Sequence, residues 1–452
     1  MSIQTVHEHI DSCRDKDLQT LIELVRIPSI ASRGIGIEEA CDYITGLLGT
    51  LGVKAEVYPT KGAPVIFGRL DCGRPGAKTV MFYGHYDVQP PEPLDKWLSD
   101  PFEPDIRDGR IYGRGVGDNK GQFLAHILAV RSYLATGTPL PVNIKFFLEG
   151  EEEAGSRNIL DFIVPHRDLL DCDLVYNADG GQEPDGRPSV HFGTRGMADV
   201  TIELKTAEKD NHSGHYGNNL PSAAWRMVKL LSTFYDENGD CAIEGFYDDV
   251  LPPTEYEKKL ISELDFDPEG VQRVTGAVRP LTVDHDQFHI NRMFKPTFNL
   301  NGIASGYTGP GHRTIVTGSA IAKFDFRLVK DQDPQDIIEK IKKHVAKHDP
   351  DARVVEAAGT PPSRTDPELP ACKAVVRAVE RSYGVKPVVM PTTGATNPEY
   401  VFTKIAGLPS VCVPYCNADE SQHAPNENFV LENFYKGIHC TAEVLEELGK
   451  NE

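Results

Sequence analysis

The sequence predicts an α/β protein interrupted by a smaller α+β domain, and three observations lead there. Up to about residue 192, short β-branched or aromatic runs (VKAEVY, TVMFY, VNIKFFL, DLVYN) alternate with helical patterns such as GQFLAHILAVRSYLATG, the rhythm of a layered α/β domain. From about 197 the texture changes: MADVTIELK and SAIAKFDFRLV alternate apolar and polar residues with period two, as strands with one solvated face do. Near 363 the first texture returns. The helical PELPACKAVVRAVERSY is followed by the short apolar runs KPVVM and LPSVCV. The simplest account is a domain made of residues 1–192 and 363–452, with a second domain inserted over 193–362. A chain of 452 residues is long enough for two cores of its own.

The elements follow in order. The apolar runs before residue 192 are strands, and GQFLAHILAVRSYLATG reads as an amphipathic helix. The inserted domain pairs its alternating strands with the helix-like PQDIIEKIKKHVAKH. Residues 236–290, rich in Asp, Glu and Pro, carry no clear period and are expected to be irregular. Lys plus Arg number 47 against 67 Asp plus Glu, a formal charge of -20. Such a surface repels nucleic acids and anionic membranes. The opening MSIQTVHEHIDSCRDKD lacks an apolar leader core, and no stretch reaches the roughly 18 apolar residues of a membrane span. A soluble, cytoplasmic protein is the expectation. The nine cysteines are thinly spread without CxxC pairs, which suits reduced, mostly buried thiols.

Four glutamates, Glu149, Glu151, Glu152 and Glu153, crowd the stretch FFLEGEEEAGS behind an apolar run. Like charges this close repel and raise one another's pKa, so they are either solvated or held by cations. In YGHYDVQP, His85 and Asp87 stand just past a strand, where open α/β sheets place their ligands. Two positions apart in extended chain, their side chains point the same way. That suits a metal-bound imidazole oriented by a carboxylate, although an isolated HxD is more often a solvated loop.

GRIYGRGVGDNKG is glycine-dense around Asp118. It fails as a phosphate-binding loop, because Lys120 is followed by Gly121 and Gln122 rather than Ser or Thr. The glycines instead let backbone approach closely around one carboxylate, though a capping Asp118 in a flexible loop is the plainer reading. Asp179 ends VYNADGG, and His423 sits in SQHAPNE. Singly each is an ordinary turn or loop residue. Together, His85, Asp118, Glu152, Glu153, Asp179 and His423 all fall at strand ends or adjoining loops of the α/β portion.

GHYDVQP, GRGVGDNKG, EGEEEAGS, NADGG, HSG and SQHAPNE, in this order, resemble the dinuclear metallopeptidase family of carnosinase-type dipeptidases, carboxypeptidase G, succinyl-diaminopimelate desuccinylase and acetylornithine deacetylase. The similarity covers nearly the whole chain and is strongest to the dipeptidase branch. It implies a zinc-peptidase-like catalytic domain, a mixed sheet with helices on both faces, carrying an inserted α+β lid and dimerisation domain. Asp118 would bridge two metals, with His85 and Asp179 completing one site and Glu153 and His423 the other. Asp87 would orient His85, and Glu152 would act as general base and acid. No role is implied for Glu149 or Glu151. A cis Asp118–Asn119 peptide is also implied.

In the inserted domain, the resemblance implies that His212 stabilises the oxyanion across a homodimer interface formed by residues 193–362. Arg327 would bind a substrate carboxylate and Thr314 would make a further contact. An apolar residue usual in the dipeptidase branch is replaced here by Asn211. On residue type alone, Arg327 would be a surface or ion-paired side chain and His212 a turn residue. Three ligating carboxylates against two divalent cations leave about one positive charge, enough to lower the pKa of a bridging water toward neutrality. Zinc comes first for a mixed imidazole and carboxylate set, with manganese or cobalt as alternatives.

The implied activity is cleavage of the amide bond of dipeptides or short peptides with a free carboxyl terminus. An N-acyl amino acid deacylase using the same machinery is the alternative, and a non-catalytic dimeric binding protein is a third reading. The intact Glu152 speaks against the last.

Overall fold

Alternation along the strand Thr79–His85 decides what lies on each face of the central sheet. Met81 and Tyr83 point one way, into a core with Phe67, Phe147, Phe162 and Phe402. Phe82 points the other way and stacks on His126 with ring centroids 4.6 Å apart. The computed structural model describes residues 2–450, and the chain divides into two units. The first comprises Met1–Gly193, Arg364–Thr392 and Asn397–Glu452; the second comprises Thr194–Ser363 and Thr393–Thr396.

The first unit is built on an eight-stranded sheet in the order Lys54–Tyr58, Val65–Leu70, Asn143–Glu149, Thr79–His85, Leu174–Asn177, Ser410–Cys412, Ser189–His191 and Val388–Met390. Asn143–Glu149, Thr79–His85, Leu174–Asn177 and Ser410–Cys412 run parallel, whereas Val65–Leu70 runs antiparallel to both of its neighbours. The mixed sheet therefore presents the carboxyl ends of four neighbouring strands along one edge, the edge where α/β sheets bind ligands. Helices cover both faces: Ile159–Ile163 packs on the Tyr83 side, and Gly121–Thr136 packs on the Phe82 side.

Gly121–Thr136 departs from the amphipathic expectation. Positions 121–130 are all buried, because Ile3–Ser12 and Leu431–Leu448 pack against it as well as the sheet. Its polar His126 is satisfied inside the core, where Nδ1 lies 3.0 Å from Thr441 Oγ1.

The second unit carries a four-stranded antiparallel sheet in the order Thr297–Ser305, Ser319–Leu328, Gly196–Lys205 and Ala352–Thr360. Alternation again sorts its faces. Ala198, Val200, Ile202 and Leu204 join Phe324, Phe326 and Leu328 under the helices Ala223–Leu231 and Pro334–His348. Arg327, paired with Met197 and Thr297 across its two neighbours, belongs to the opposite face.

Residues 236–290, expected to be irregular, contain two complete helices and enter a third: Glu255–Ser262, Pro268–Thr275 and His285–Met293. Some of the Asp, Glu and Pro residues that obscured the period stand at the starts of these helices. Thr254 and Glu257 form a reciprocal capping box, Pro268 begins the second helix, and Asp284 accepts the amide of Gln287 at 2.8 Å.

Where the first unit is interrupted, its two chain ends remain joined: the Thr365 amide donates to the Phe192 carbonyl at 2.7 Å. No helix among the described residues is long and apolar enough to cross a membrane.

Candidate metal centre

The parallel strands deliver the site residues to one edge of the sheet. His85 ends Thr79–His85 and pairs in register with Glu149 at the end of the neighbouring strand. Asp179 follows Leu174–Asn177 by two residues. Asp118 lies on the glycine-rich turn before Gly121–Thr136, and its peptide bond to Asn119 is cis.

Two groups of ligand atoms result, each with all members within 4.8 Å of one another: His85, Asp118 and Asp179, and Asp118, Glu153 and His423. Asp118 belongs to both. Its Oδ1 lies 3.1 Å from His85 Nε2, and its Oδ2 lies 3.0 Å from His423 Nε2. His423 Nε2 is also 3.1 Å from Glu153 Oε2. His423 has φ of 58°, a left-handed conformation uncommon for a residue with a side chain and frequent at functional sites.

Charge and hydrogen bonding test whether these residues suit a cation. Asp179 Oδ1 is buried without a hydrogen-bond partner among the described residues, a costly state unless something else meets it. Burial raises Asp179 to about 7, with the Asp118 charge adding to it. Glu152 is pushed well above the usual carboxylate range by burial and by Asp179, Asp118 and Glu153, against the opposing charge of His85. Hydrogen bonds to Asp118 and Glu153 raise His423 to about 10. For His85, burial alone would lower the pKa, but Asp118 and Asp87 outweigh it. Asp118 alone is held low: burial would raise it, but hydrogen bonds from His423 and His85 outweigh that. The raised values at Asp179, Glu152, His423 and His85 all ask for more positive charge, and divalent cations answer that demand with the donor types present.

The crowded glutamates separate into different roles. Glu153 joins a ligand group, and Gln89 Nε2 holds its Oε2 at 2.9 Å. Glu152 belongs to neither group. Glu149, raised to about 7 by burial, accepts from Tyr83 Oη at 2.6 Å and Ser156 Oγ at 3.0 Å. Glu151 accepts from Asn158 Nδ2 at 3.0 Å.

Asp87 does more than face His85. Its backbone carbonyl lies 3.2 Å and its Oδ1 3.4 Å from His85 Nδ1, while its carboxylate accepts the backbone amides of Glu152 and Glu153, each at 3.1 Å. One buried side chain thus orients an imidazole and the turn carrying the glutamate pair.

Several contributors lay unremarked inside the sequence motifs. Glu427, the last residue of SQHAPNE, accepts the amides of Gly115, Gly117 and Asp118, each at 3.1 Å, and Arg114 Nη1 at 2.8 Å. Gln422 Nε2 donates to Asp118 Oδ2 at 2.7 Å. Asn119 Nδ2 donates to the Ala178 carbonyl at 2.7 Å, tying the Asp118 turn to the strand before Asp179. Lys120 is buried and donates to the carbonyls of Leu24 and Ile27, so it is spent on backbone, in keeping with the absence of a phosphate-binding motif.

The remaining predicted residues lie in the second unit. His212 is exposed, and its Nδ1 accepts the Gly214 amide at 3.0 Å. Exposed Thr314 is close by in the same two-stranded ladder, its carbonyl accepting the Ser213 amide at 2.8 Å. Arg327 forms no ion pair among the described residues, and its Nη1 donates to Thr396 Oγ1 at 2.8 Å. Thr396, absent from the sequence reading, is polar but sits in a segment, TTGATNPEY, with no period to mark it.

Comparison with known proteins identifies relatives of the whole chain. Residues 81–447 match the model of peptidase family M20/M25/M40. The chain is 31% identical to the mouse Beta-Ala-His dipeptidase over 99% of its length and 96% of that protein. It is 27% identical to the Cys-Gly metallodipeptidase of Schizosaccharomyces pombe over 99% of this chain and 98% of the other. An M20 family metallo-carboxypeptidase from Sulfolobus solfataricus superposes with a TM-score of 0.85 at 36% identity, covering 96% of this chain and 99% of that one.

Glu427→Gln keeps the shape of the clamp but turns a donor toward backbone amides. It should weaken metal binding by about 10- to 100-fold, as loss of a group that orients ligands does, measured by competition with a chromophoric chelator. Arg114→Met should destabilise the first unit by about 3–5 kcal/mol, the cost of leaving one partner of a buried pair alone, read by denaturant unfolding. Unchanged metal affinity in the first variant would mean that the turn holds Asp118 unaided.

Proposed function

The chain belongs to peptidase family M20/M25/M40, and from that membership we propose that it is a metal-dependent dipeptidase, hydrolysing the amide bond of dipeptides or short peptides with a free carboxyl terminus. The observation that carries this reading is the pair of ligand groups sharing Asp118, with the half-buried Glu152 belonging to neither. Relatives named for Beta-Ala-His and Cys-Gly substrates support the dipeptide class.

His85 and Asp179 would hold one divalent cation and Glu153 and His423 a second, with Asp118 between them. When bound, these ions supply Lewis acidity for water and the scissile carbonyl, and zinc suits the donors best. Glu152 takes the proton of the attacking water on its carboxylate and delivers it to the leaving nitrogen. Asp87 keeps the Glu152 turn and the His85 ring in place during that exchange. Arg327, with no carboxylate partner among the described residues, binds the substrate's terminal carboxylate through its planar fork. Thr314 contributes a second contact.

The protein acts as a homodimer through residues 193–362, with His212 stabilising the oxyanion of the partner's site. The surface of the second unit supports an interface. Trp225 and Val228 on Ala223–Leu231 are 76% and 49% exposed, and Leu300 and Ile303 on the edge strand Thr297–Ser305 are also open. Large apolar side chains left exposed on one unit are a feature of association surfaces.

A screen of the zinc-loaded protein against mixed dipeptides and N-acyl amino acids should show turnover of the former. Turnover of acylated substrates alone would move the assignment to a deacylase. Glu152→Gln should keep its metal while losing about 10²–10⁴-fold in turnover, whereas Glu153→Gln should lose metal first, both by elemental analysis.

Arg327→Ala should lose about 2–5 kcal/mol of transition-state stabilisation on a free dipeptide. Amidating the substrate should cost the wild type a similar amount and the variant little, because both changes remove one contact. If the wild type cleaves amidated and free substrates equally, Arg327 is structural.

Mixing inactive His212→Ala and Glu152→Gln subunits should restore one working site per heterodimer. Verified heterodimers without activity would place His212 outside the partner's site.

A further inference from the structure

The second unit holds a cavity of about 440 Å³ that the proposed reaction does not use. Its walls are largely apolar, formed by Phe266, Val271, Leu281 and Phe288, and the two phenyl rings stack with centroids 4.5 Å apart. Two arginines, Arg195 and Arg292, line the same space. Apolar walls with a few placed polar groups, in a volume of roughly 300–1,000 Å³, characterise small-molecule sites.

The charge balance of this cavity is one-sided. Arg195 is 4% exposed, and its guanidinium donates to the carbonyls of Arg292 at 3.1 Å, Lys295 at 2.6 Å and Arg327 at 3.0 Å. Carbonyl dipoles satisfy donors but do not neutralise a cation, and Nε is buried without a hydrogen-bond partner. Arg292 is exposed, and its guanidinium has no hydrogen-bond or ion-pair partner among the described residues. The neighbouring acids are engaged elsewhere: Asp267 with Arg273 at 2.9 Å, Asp284 with the Gln287 amide at 2.8 Å and Asp286 with His285 at 2.7 Å. Two uncompensated cations at an apolar cavity stand out in a chain of net charge -20.

We propose that this cavity binds an apolar monocarboxylate, its ring or alkyl chain against Phe266 and Phe288 and its carboxylate on Arg292, with the charge of Arg195 behind. A zwitterionic amino acid suits the site less, because no acidic side chain lines the cavity to meet an ammonium group. The site is linked to the substrate-binding candidate Arg327 by a short path. One guanidinium, that of Arg195, holds both the Arg292 and the Arg327 carbonyls, so a ligand that draws on Arg292 acts on the strand carrying Arg327.

The test titrates the full-length, metal-loaded protein with 3-phenylpropionate by isothermal calorimetry, with 3-phenylpropanol and propionate as controls lacking the charge or the ring. Saturable binding is expected for 3-phenylpropionate, about tenfold weaker in Arg292→Gln, as loss of one charge-assisted contact predicts. Val271→Trp, which fills the cavity, should abolish binding, and thermal unfolding of both variants checks that the unit remains folded. Arg327→Ala should stay within about twofold of wild type, the behaviour of separate sites. Absence of saturable binding, equal binding by Arg292→Gln, or loss of binding in Arg327→Ala with retention in folded Val271→Trp would overturn the proposal, the last by placing the ligand at Arg327.

Discussion

The metal centre depends on how one carboxylate holds a turn of main chain. Glu427 gathers three backbone amides and the Arg114 guanidinium, and the last of those amides is that of Asp118 itself. Because Asp118 belongs to both ligand groups, any looseness in this turn would be felt by both at once. Low exposure on both sides of the Arg114–Glu427 pair makes the contact stiff and its loss costly. The glycines of GRGVGDNKG serve the same end. Gly117 and Gly121 lie so close to Cys416, Glu420 and Phe429 that a Cβ would collide with them, and Gly115 has φ of 82°.

The acidic stretch after Asn143–Glu149 shows how a chain can keep like charges together. Each carboxylate is assigned a different neighbour: Glu149 takes a tyrosine and a serine hydroxyl, Glu151 an asparagine amide, Glu153 a glutamine amide and an imidazole. Asp87 supports the turn through its main-chain amides. Glu152 is left half-buried among acids with its affinity for a proton raised, the property a proton carrier needs.

Part of this was legible in the sequence because some candidate ligands follow apolar runs, and the ordered motifs resemble those of a known family. His85 and Asp179 sit at strand ends that parallel pairing brings to one edge, so the local pattern located them without knowledge of the strand order. Glu427 and Gln422 were visible only as letters in SQHAPNE, because their partners lie some 300 positions away and no local period signals that closeness. The helix Gly121–Thr136 was misjudged for a related reason: burial on several sides is a tertiary fact, and its few polar residues are satisfied inside. In residues 236–290 short helices separated by Asp, Glu and Pro broke up any sustained apolar period, so helix starts were taken for loop.

The hydrogen bond between Phe192 and Thr365 has an evolutionary meaning. It leaves the two ends of the interruption side by side, so the first unit's sheet is closed before the inserted chain is counted. A segment attached through adjacent ends can be lengthened, shortened or exchanged for another without re-threading its host. The ligand groups all come from the host chain, whereas His212, Thr314 and Arg327 come from the guest. Selection could therefore rewrite the residues proposed to read the substrate while leaving the hydrolytic centre intact, and a single architecture could diversify by changing the passenger alone.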